Sequence, residues 1–242
     1  MKTTKIYIAQ TLSTNVLLIN LLKSAAPEEG LTAYAGFQTA GRGQKGTAWE
    51  SEPFKNLLFS FVLYPKFVRA NEQFIISQLV SLAIKETLDK YADGFCIKWP
   101  NDIYYNDRKI AGILIENELL GDRICSSVIG VGLNVNQEQF LSDAPNPVSL
   151  KQITGQVYDI ETLLDEILKE VAFFYELSGK SPAAIAEKYR KSLWRQTGYH
   201  RFEDAAGTFM AQIKDVSGNG LLTLSLHNGE EKKYAFKEVK FI

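Results

Sequence analysis

Residues 38–49 read Gln-Thr-Ala-Gly-Arg-Gly-Gln-Lys-Gly-Thr-Ala-Trp, and this stretch constrains the chain more than any other. Its closely spaced glycines let the backbone turn through positive φ, and such a loop can aim successive N–H groups at an anion. Arg42 and Lys45 add positive charge and Trp49 adds a flat face. On spacing alone, a solvated basic turn is the alternative. Gly41-x-Gly43-x-x-Gly46 matches the dinucleotide fingerprint, which requires a helix directly after the loop and an acidic residue about 20 positions on. Here Pro53 disfavours helix before it, the apolar run Leu57–Tyr64 follows, and Pro65, Lys66 and Phe67 stand near the expected acidic position. That reading fails. A kinase loop fails too, because the chain has neither His-Arg-Asp nor Asp-Phe-Gly. Gly179-Lys180-Ser181 has the tail of a P-loop but Phe174 where its first glycine belongs.

The rest of the chain must supply a scaffold for that loop. Its 242 residues suit one large domain or a large and a small one, and 45% hydrophobic residues allow a sizeable core. A net charge of −1 gives no general attraction to nucleic acid or acidic membranes, so an anion must be held locally. Cys96 and Cys125 lie in apolar runs and read as buried free thiols; His200 and His227 lack ligand spacing. No signal-peptide core or membrane-length apolar run is found, which predicts a cytoplasmic protein.

Apolar periodicity predicts strands over Lys5–Ala9, Leu31–Gln38 and Leu57–Tyr64, with a helix after Ser13-Thr14-Asn15, any of which could cap it. A long amphipathic helix follows over Ala70–Tyr91. Phe95–Trp99 is a strand, Ile103–Tyr105 and Lys109–Glu118 form a hairpin, and Ile124–Val135 completes this half. Pro145 and Pro147 mark a loop. An apolar stripe from Ile160 to Tyr175 and a helix over Pro182–Trp194 pack on the core. Hairpins dominate, so the expected class is α+β, with a mixed, largely antiparallel sheet covered by helices. Composition shifts after Gly198. Gly207–Asp215, Gly220–Leu226 and Glu231–Phe236 read as short strands, giving a catalytic domain over 1–197 and a small β domain over 198–242. Lys232, Lys233, Lys237 and Lys240 alternate with glutamates and read as a solvated face.

Polar residues gather at strand ends and loops, where sites are commonly built. They are Ser13-Thr14-Asn15, the glycine loop, Lys98-Trp99-Pro100-Asn101-Asp102, Lys109 with Gly112 and Glu116, and Asn134. Lys98 stands inside an apolar strand, where a lone charge is costly; an edge lysine snorkelling to water is the alternative. Together these groups offer cations for phosphate, a carboxylate for Mg²⁺ and an indole for a base. That chemistry suits activation of a carboxylic acid by ATP, in which cations must lie between two anions and stabilise the charge that develops.

Gln38-Thr39-Ala40-Gly41-Arg42-Gly43, Lys98-Trp99-Pro100-Asn101-Asp102, Lys109-Ile110-Ala111-Gly112-Ile113-Leu114-Ile115-Glu116 and Gly130-Val131-Gly132-Leu133-Asn134-Val135-Asn136 resemble the biotin–protein ligases in order and spacing, over roughly residues 5–136. The resemblance implies a catalytic domain like that of class II aminoacyl-tRNA synthetases followed by an SH3-like barrel. It implies a reaction in which biotin and ATP give biotinyl-adenylate, and biotin then passes to a lysine of biotin carboxyl carrier protein. By position, Ser13, Thr14 and Gln38 would hold the biotin head group, with Asn15 and Gly112 beside it. Arg42, Gly43 and Gln44 would line biotin and adenylate, and Lys109 would meet the reacting carboxylate and phosphate. Trp49, Asn101 and Asn134 would contact the nucleotide and Lys98 its phosphates. Asp102 would position Mg²⁺ or take the proton of the carrier lysine. Gln44 stands where arginine is frequent in the family, and Ile242 ends a tail that in relatives often carries arginine. The expected partners are biotin, ATP and the carrier protein but not DNA, for a monomer or homodimer. Lipoate or octanoate ligases of the same fold, and a non-catalytic biotin-binding protein, are the alternatives.

Overall fold

A computed structural model of the protein describes residues 3–44, 47–141 and 146–242. Lys45 and Gly46 of the glycine loop, and Pro145, lie outside the described residues. The chain opens with β1 (Lys5–Thr11), α1 (Thr14–Ser24), β2 (Thr32–Gln38) and β3 (Leu57–Leu63). The run Leu-Leu-Phe-Ser-Phe-Val-Leu has no polar face, so its strand must be covered on both sides. All seven residues of β3 are buried accordingly. Leu57, Phe59, Phe61 and Leu63 join the main core, whereas Val62 packs with Leu18, Leu31, Ala33 and Val128 under α1. Alternation along β3 thereby places Ser60 on the α1 side.

Next come α2 (Phe74–Leu88), β4 (Phe95–Lys98), β5 (Asp102–Tyr105), β6 (Arg108–Leu120) and β7 (Arg123–Leu133). The helix expected over Ala70–Tyr91 is shorter: a 3₁₀ turn spans Ala70–Glu72, and α2 ends at Leu88 with Asp89 N–H on Lys85 O. The seven strands form one sheet in the order β1-β2-β3-β7-β6-β5-β4. The β1–β2 pair is parallel and the others are antiparallel. Two rows of that register matter for the site: Ser60–Gly130–Leu114 and Leu58–Gly132–Gly112, each running across β3, β7 and β6.

Three helices follow, α3 (Leu150–Thr154), α4 (Ile160–Lys180) and α5 (Pro182–Lys191). The short α3 was not expected, although Ser149-x-x-Gln152 closes a reciprocal capping box at its start and Gly155 turns left-handed at its end. α4 buries the predicted stripe against α2. α5 stops three residues before Trp194 because the chain turns to run beside edge strand β4, exchanging Ile97 N–H to Ser192 O and Trp194 N–H to Ile97 O. That contact covers an otherwise open sheet edge.

β8 (His200–Asp204), β9 (Gly207–Val216), β10 (Leu222–Leu226), β11 (Glu231–Tyr234) and β12 (Lys240–Phe241) make a second, antiparallel sheet in the order β11-β10-β9-β8-β12. β8 and β12 escaped prediction. The first buries only Phe202 and the second is two residues long, so neither carries a hydrophobic pattern. The turn between β9 and β10 docks on the larger unit, where Trp99 Nε1–H donates to Gly220 O at 3.0 Å. Cys96 and Cys125 are free but half-buried rather than buried. Burial pushes the Cys96 thiol up to about 12, which leaves it an inert structural group.

Candidate active site

Fourteen of the residues named from the sequence line one cavity of about 1090 Å³, and Glu116 stands behind it as the partner of Asn15 and Arg42. These are Ser13, Thr14, Asn15, Gln38, Arg42, Gly43, Gln44, Trp49, Lys98, Asn101, Asp102, Lys109, Gly112 and Asn134. Its floor is the sheet at the glycine positions of β6 and β7, and its roof is the loop between β2 and β3. That loop is a small hairpin, with Gly43 N–H on Thr47 O and Trp49 N–H on Gly41 O. It runs on to Phe54 and strand β3 without a helix, as expected once the dinucleotide reading fails.

One end of the cavity is a polar chain built at the start of α1. Ser13 has the extended backbone of an N-cap, but its side chain makes no capping bond. Thr14 and Asn15 sit inside the first turn, so none of the three caps the helix as proposed. The side chains of Thr14 and Asn15 turn to the sheet. Ser60 Oγ–H donates to Asn15 Oδ1 at 2.5 Å, which commits its only proton. Thr14 Oγ1 must then donate to Ser60 across 2.6 Å, and Gln38 Oε1 accepts from Thr14 N–H at 2.8 Å. Asn15 Nδ2 and Arg42 Nη2 both donate to Glu116 Oε2 at 2.8 Å. Gly130 makes this possible, because a Cβ there would lie 2.8 Å from Asn15 Cγ. Ser60 was missed in the sequence, although it is the single polar residue of an otherwise apolar strand.

The other end is cationic. The register Lys98↔Asp102↔Gly112 across β4, β5 and β6 brings Lys98, Asp102 and Lys109 together. Lys109 Nζ pairs with Asp102 Oδ1 at 2.7 Å and lies 5.6 Å from the centre of the Trp49 ring. Lys98 stands on the edge strand but does not snorkel; its Nζ–H donates to Tyr104 Oη at 2.9 Å. Burial holds this ammonium below the usual lysine range, with Asp102 opposing the shift in part.

Trp49 lies flat across the sheet floor, where a Cβ on Gly132 would stand 2.6 Å from its Nε1. Trp49 Nε1 and Asn134 Oδ1 are buried without a hydrogen-bond partner, one a donor and the other an acceptor. Buried polar atoms are rarely left so, and here both face a cavity that a ligand could fill. Asn101 is tied to the framework, its Nδ2 donating to Ile113 O and its carbonyl accepting from Ile113 N–H at 3.1 Å. The last residues, from Phe236 to Ile242, form a wall that sequence reasoning did not foresee. Lys237 and Lys240 belong to that wall, not merely to a solvated face; Lys240 pairs with Glu203 at 3.4 Å.

A cavity with a hydrogen-bonding end, a cationic end and orphaned polar atoms suits two polar molecules joined by an anion. The chain matches the model of the Biotin/lipoate A/B protein ligase family over residues 7–134. It belongs to that family. Among relatives of this ligase family, the bifunctional ligase/repressor BirA of Bacillus subtilis is 30% identical over 234 residues, covering 92% of this chain and 70% of its own. The biotin–[acetyl-CoA-carboxylase] ligase of Paracoccus denitrificans is 32% identical over 172 residues, 65% of this chain and 67% of its own. Among solved structures, the biotin protein ligase of Aquifex aeolicus in complex with biotin and ATP superposes with a TM-score of 0.81, at 25% identity over the whole of both chains. The span matched by the ligase family ends at Asn134, so it contains every candidate residue and stops before α3 and the small sheet.

Proposed function

We propose that this protein is an ATP-dependent biotin–protein ligase. A biotin carboxylate oxygen attacks the α-phosphorus of ATP, the bond to the β-phosphate breaks, and pyrophosphate leaves. The amine of a lysine on biotin carboxyl carrier protein then attacks the acyl carbon, loses a proton, and AMP departs with the electrons of the broken C–O bond. The observation that carries this reading is the single cavity that joins the polar chain at Asn15 to the cations at Lys98 and Lys109. The Aquifex ligase, which binds biotin and ATP together, superposes on the whole chain.

The polar end favours biotin over the acyl groups of the alternative ligases. A urea ring offers two N–H donors and a carbonyl acceptor to Ser13, Thr14, Asn15 and Gln38. A dithiolane or a plain octanoyl chain offers this polar end no hydrogen bonds in return, and sites built on hydrogen bonds reject such analogues by orders of magnitude. Gly112 lets Trp49 and Lys109 approach the sheet closely, the backbone at Gly43 lines the ring, and Arg42 and Gln44 flank the acyl–phosphate junction. Lys109 neutralises that junction as charge develops. Lys98 faces the phosphates, and Trp49, Asn101 and Asn134 line the nucleotide. The described residues hold no cluster of three metal-binding side chains. Mg²⁺ enters as part of the ATP substrate, with Asp102 as the candidate carboxylate beside it, in keeping with the ion's habit of relying on phosphates and water. Asp102 is also the candidate acceptor for the proton of the carrier lysine.

The division at residues 197 and 198, action in the cytoplasm on a carrier protein and not on DNA, and a monomeric or dimeric state belong to the same proposal. Among the described residues no helix is long and apolar enough to cross a membrane. The deciding experiment is ATP–pyrophosphate exchange with biotin, lipoate and octanoate compared side by side. Exchange with biotin alone is expected; exchange that prefers lipoate or octanoate makes the protein another ligase of the family, and none with any acid makes it a binding protein.

A further inference from the structure

The three cations that face the proposed phosphates are not in equivalent states. Arg42 holds the carboxylate of Glu116 and Lys109 that of Asp102. Lys98 forms no ion pair among the described residues. Its ammonium donates to Tyr104 Oη at 2.9 Å and sits among three aromatic rings, 4.8 Å from the centre of Tyr104, 5.3 Å from Trp194 and 5.8 Å from Phe241. These rings come from three separate places, β5, the segment after α5, and β12. They also pack on one another, Tyr104 on Trp194 at 5.4 Å and Trp194 on Phe241 at 5.6 Å.

The cage is anchored from behind. Trp194 Nε1–H donates to Asp107 at 3.0 Å, and the Arg195 guanidinium covers the indole at 4.0 Å. Arg195 reaches on to Ile242 O at 2.7 Å, while Phe241 packs on buried Phe202 at 4.9 Å. Register Phe241↔Phe202 fixes the last ring to the small sheet. Aromatic faces attract a cation without cancelling its charge. A carboxylate in the same place would cancel it before any phosphate arrived.

We propose that Phe241 and Trp194 are positioning residues for ATP, by which the C-terminal sheet holds Lys98 in place and un-neutralised toward the phosphates. This rests on the ligase reading, and on Lys98 as a phosphate contact. It predicts that the small sheet acts on ATP and leaves biotin alone, since the polar chain at Asn15 contains no residue from it.

The test uses the full chain and the variants Phe241→Leu, Phe241→Trp and Lys98→Met. ATP affinity is measured by calorimetry, KM and kcat by biotin-dependent exchange, biotin affinity without nucleotide, and Tm. Phe241→Leu should weaken ATP about five-fold, the scale of one lost ring over a cation. Biotin affinity should hold, and Phe241→Trp should restore ATP. In a Lys98→Met background Phe241→Leu should cost nothing more, because the ring acts through the ammonium. Should Phe241→Leu not fold, Trp194→Leu removes a second ring from a different element and is read the same way. Unchanged ATP affinity in the leucine variant, an equal loss with Lys98→Met, or an equal loss of biotin overturns the proposal. If Lys98→Met alone leaves ATP unchanged, the phosphate contact falls and the proposal with it. Exchange by the unmodified protein judges the ligase reading separately.

Discussion

Gly130 and Gly132 stand two residues apart on the same face of central strand β7, yet they should govern different ligands. An added methyl at Gly130 would lie 2.8 Å from Asn15 Cγ, and one at Gly132 would lie 2.6 Å from Trp49 Nε1 and 2.7 Å from its Cδ2. Ordinary carbon contacts are about 3.5–4.0 Å, so in each variant the facing group must retreat by about an ångström. Asn15 is 3% exposed on the first turn of a packed helix and has nowhere to go. Its bonds to Ser60 and Glu116 would be lost, and leaving buried polar groups unpaired costs about 1–3 kcal/mol each. Gly130→Ala should therefore lower stability by about 2–4 kcal/mol and weaken biotin at least about ten-fold. Trp49 is carried by a surface loop, so in Gly132→Ala the indole can lift from the sheet at little cost to folding. Its nucleotide contact is lost instead, on the scale of about 1–3 kcal/mol for stacking. Urea unfolding, with calorimetry of biotin without nucleotide and of ATP, reads all three quantities. Biotin weakened as much as ATP in Gly132→Ala, or untouched in Gly130→Ala, would refute the two-ended site.

Lys109→Ala should reduce biotin-dependent pyrophosphate exchange about 10²–10³-fold, as for loss of a group that stabilises developing charge. Asp102→Asn should spare more of that exchange and slow transfer of supplied biotinyl-adenylate to the carrier; the reverse pattern would make Asp102 a metal or nucleotide contact. Gln44→Arg replaces an amide with a guanidinium, which binds phosphate more strongly, so release of biotinyl-adenylate should slow. An unchanged or faster off-rate would remove Gln44 from the clamp. Because burial lowers the affinity of Lys98 for its proton, with Lys109 and Arg195 adding to the shift and Asp102 opposing it, the ammonium is lost earlier than that of an ordinary lysine as pH rises. ATP binding should then fall on the alkaline side, at a lower pH than the titration of an ordinary lysine. Lys98→Arg, whose charge persists, should flatten that limb, and superimposable profiles would contradict the role.

The strands and long helices were legible because each carries its own hydrophobic period. Leu57–Tyr64 reads as a strand, and Ile160–Tyr175 as a helix with one apolar stripe, whatever the rest of the chain does. The glycine loop was legible from its closely spaced glycines and charges, Lys98 because a lone charge inside an apolar strand is costly, and the glycines of β7 only through the family resemblance. Period and composition say which way a side chain faces, not which distant residue it meets. Glu116 reaches Asn15 from 101 positions away and Arg42 from 74, and only the pairing order of the sheet brings them together. The same holds for Ser13-Thr14-Asn15, whose local pattern suits a helix cap until the sheet beneath offers Ser60 and Gln38 as partners. β8 and β12 bury too little to leave a pattern, and their places are set by pairing with each other and with β9. The aromatic cage at Lys98 lay furthest from view. Tyr104, Trp194 and Phe241 are ordinary core candidates one by one, and they become one wall only when the small sheet folds back against the edge of the large one.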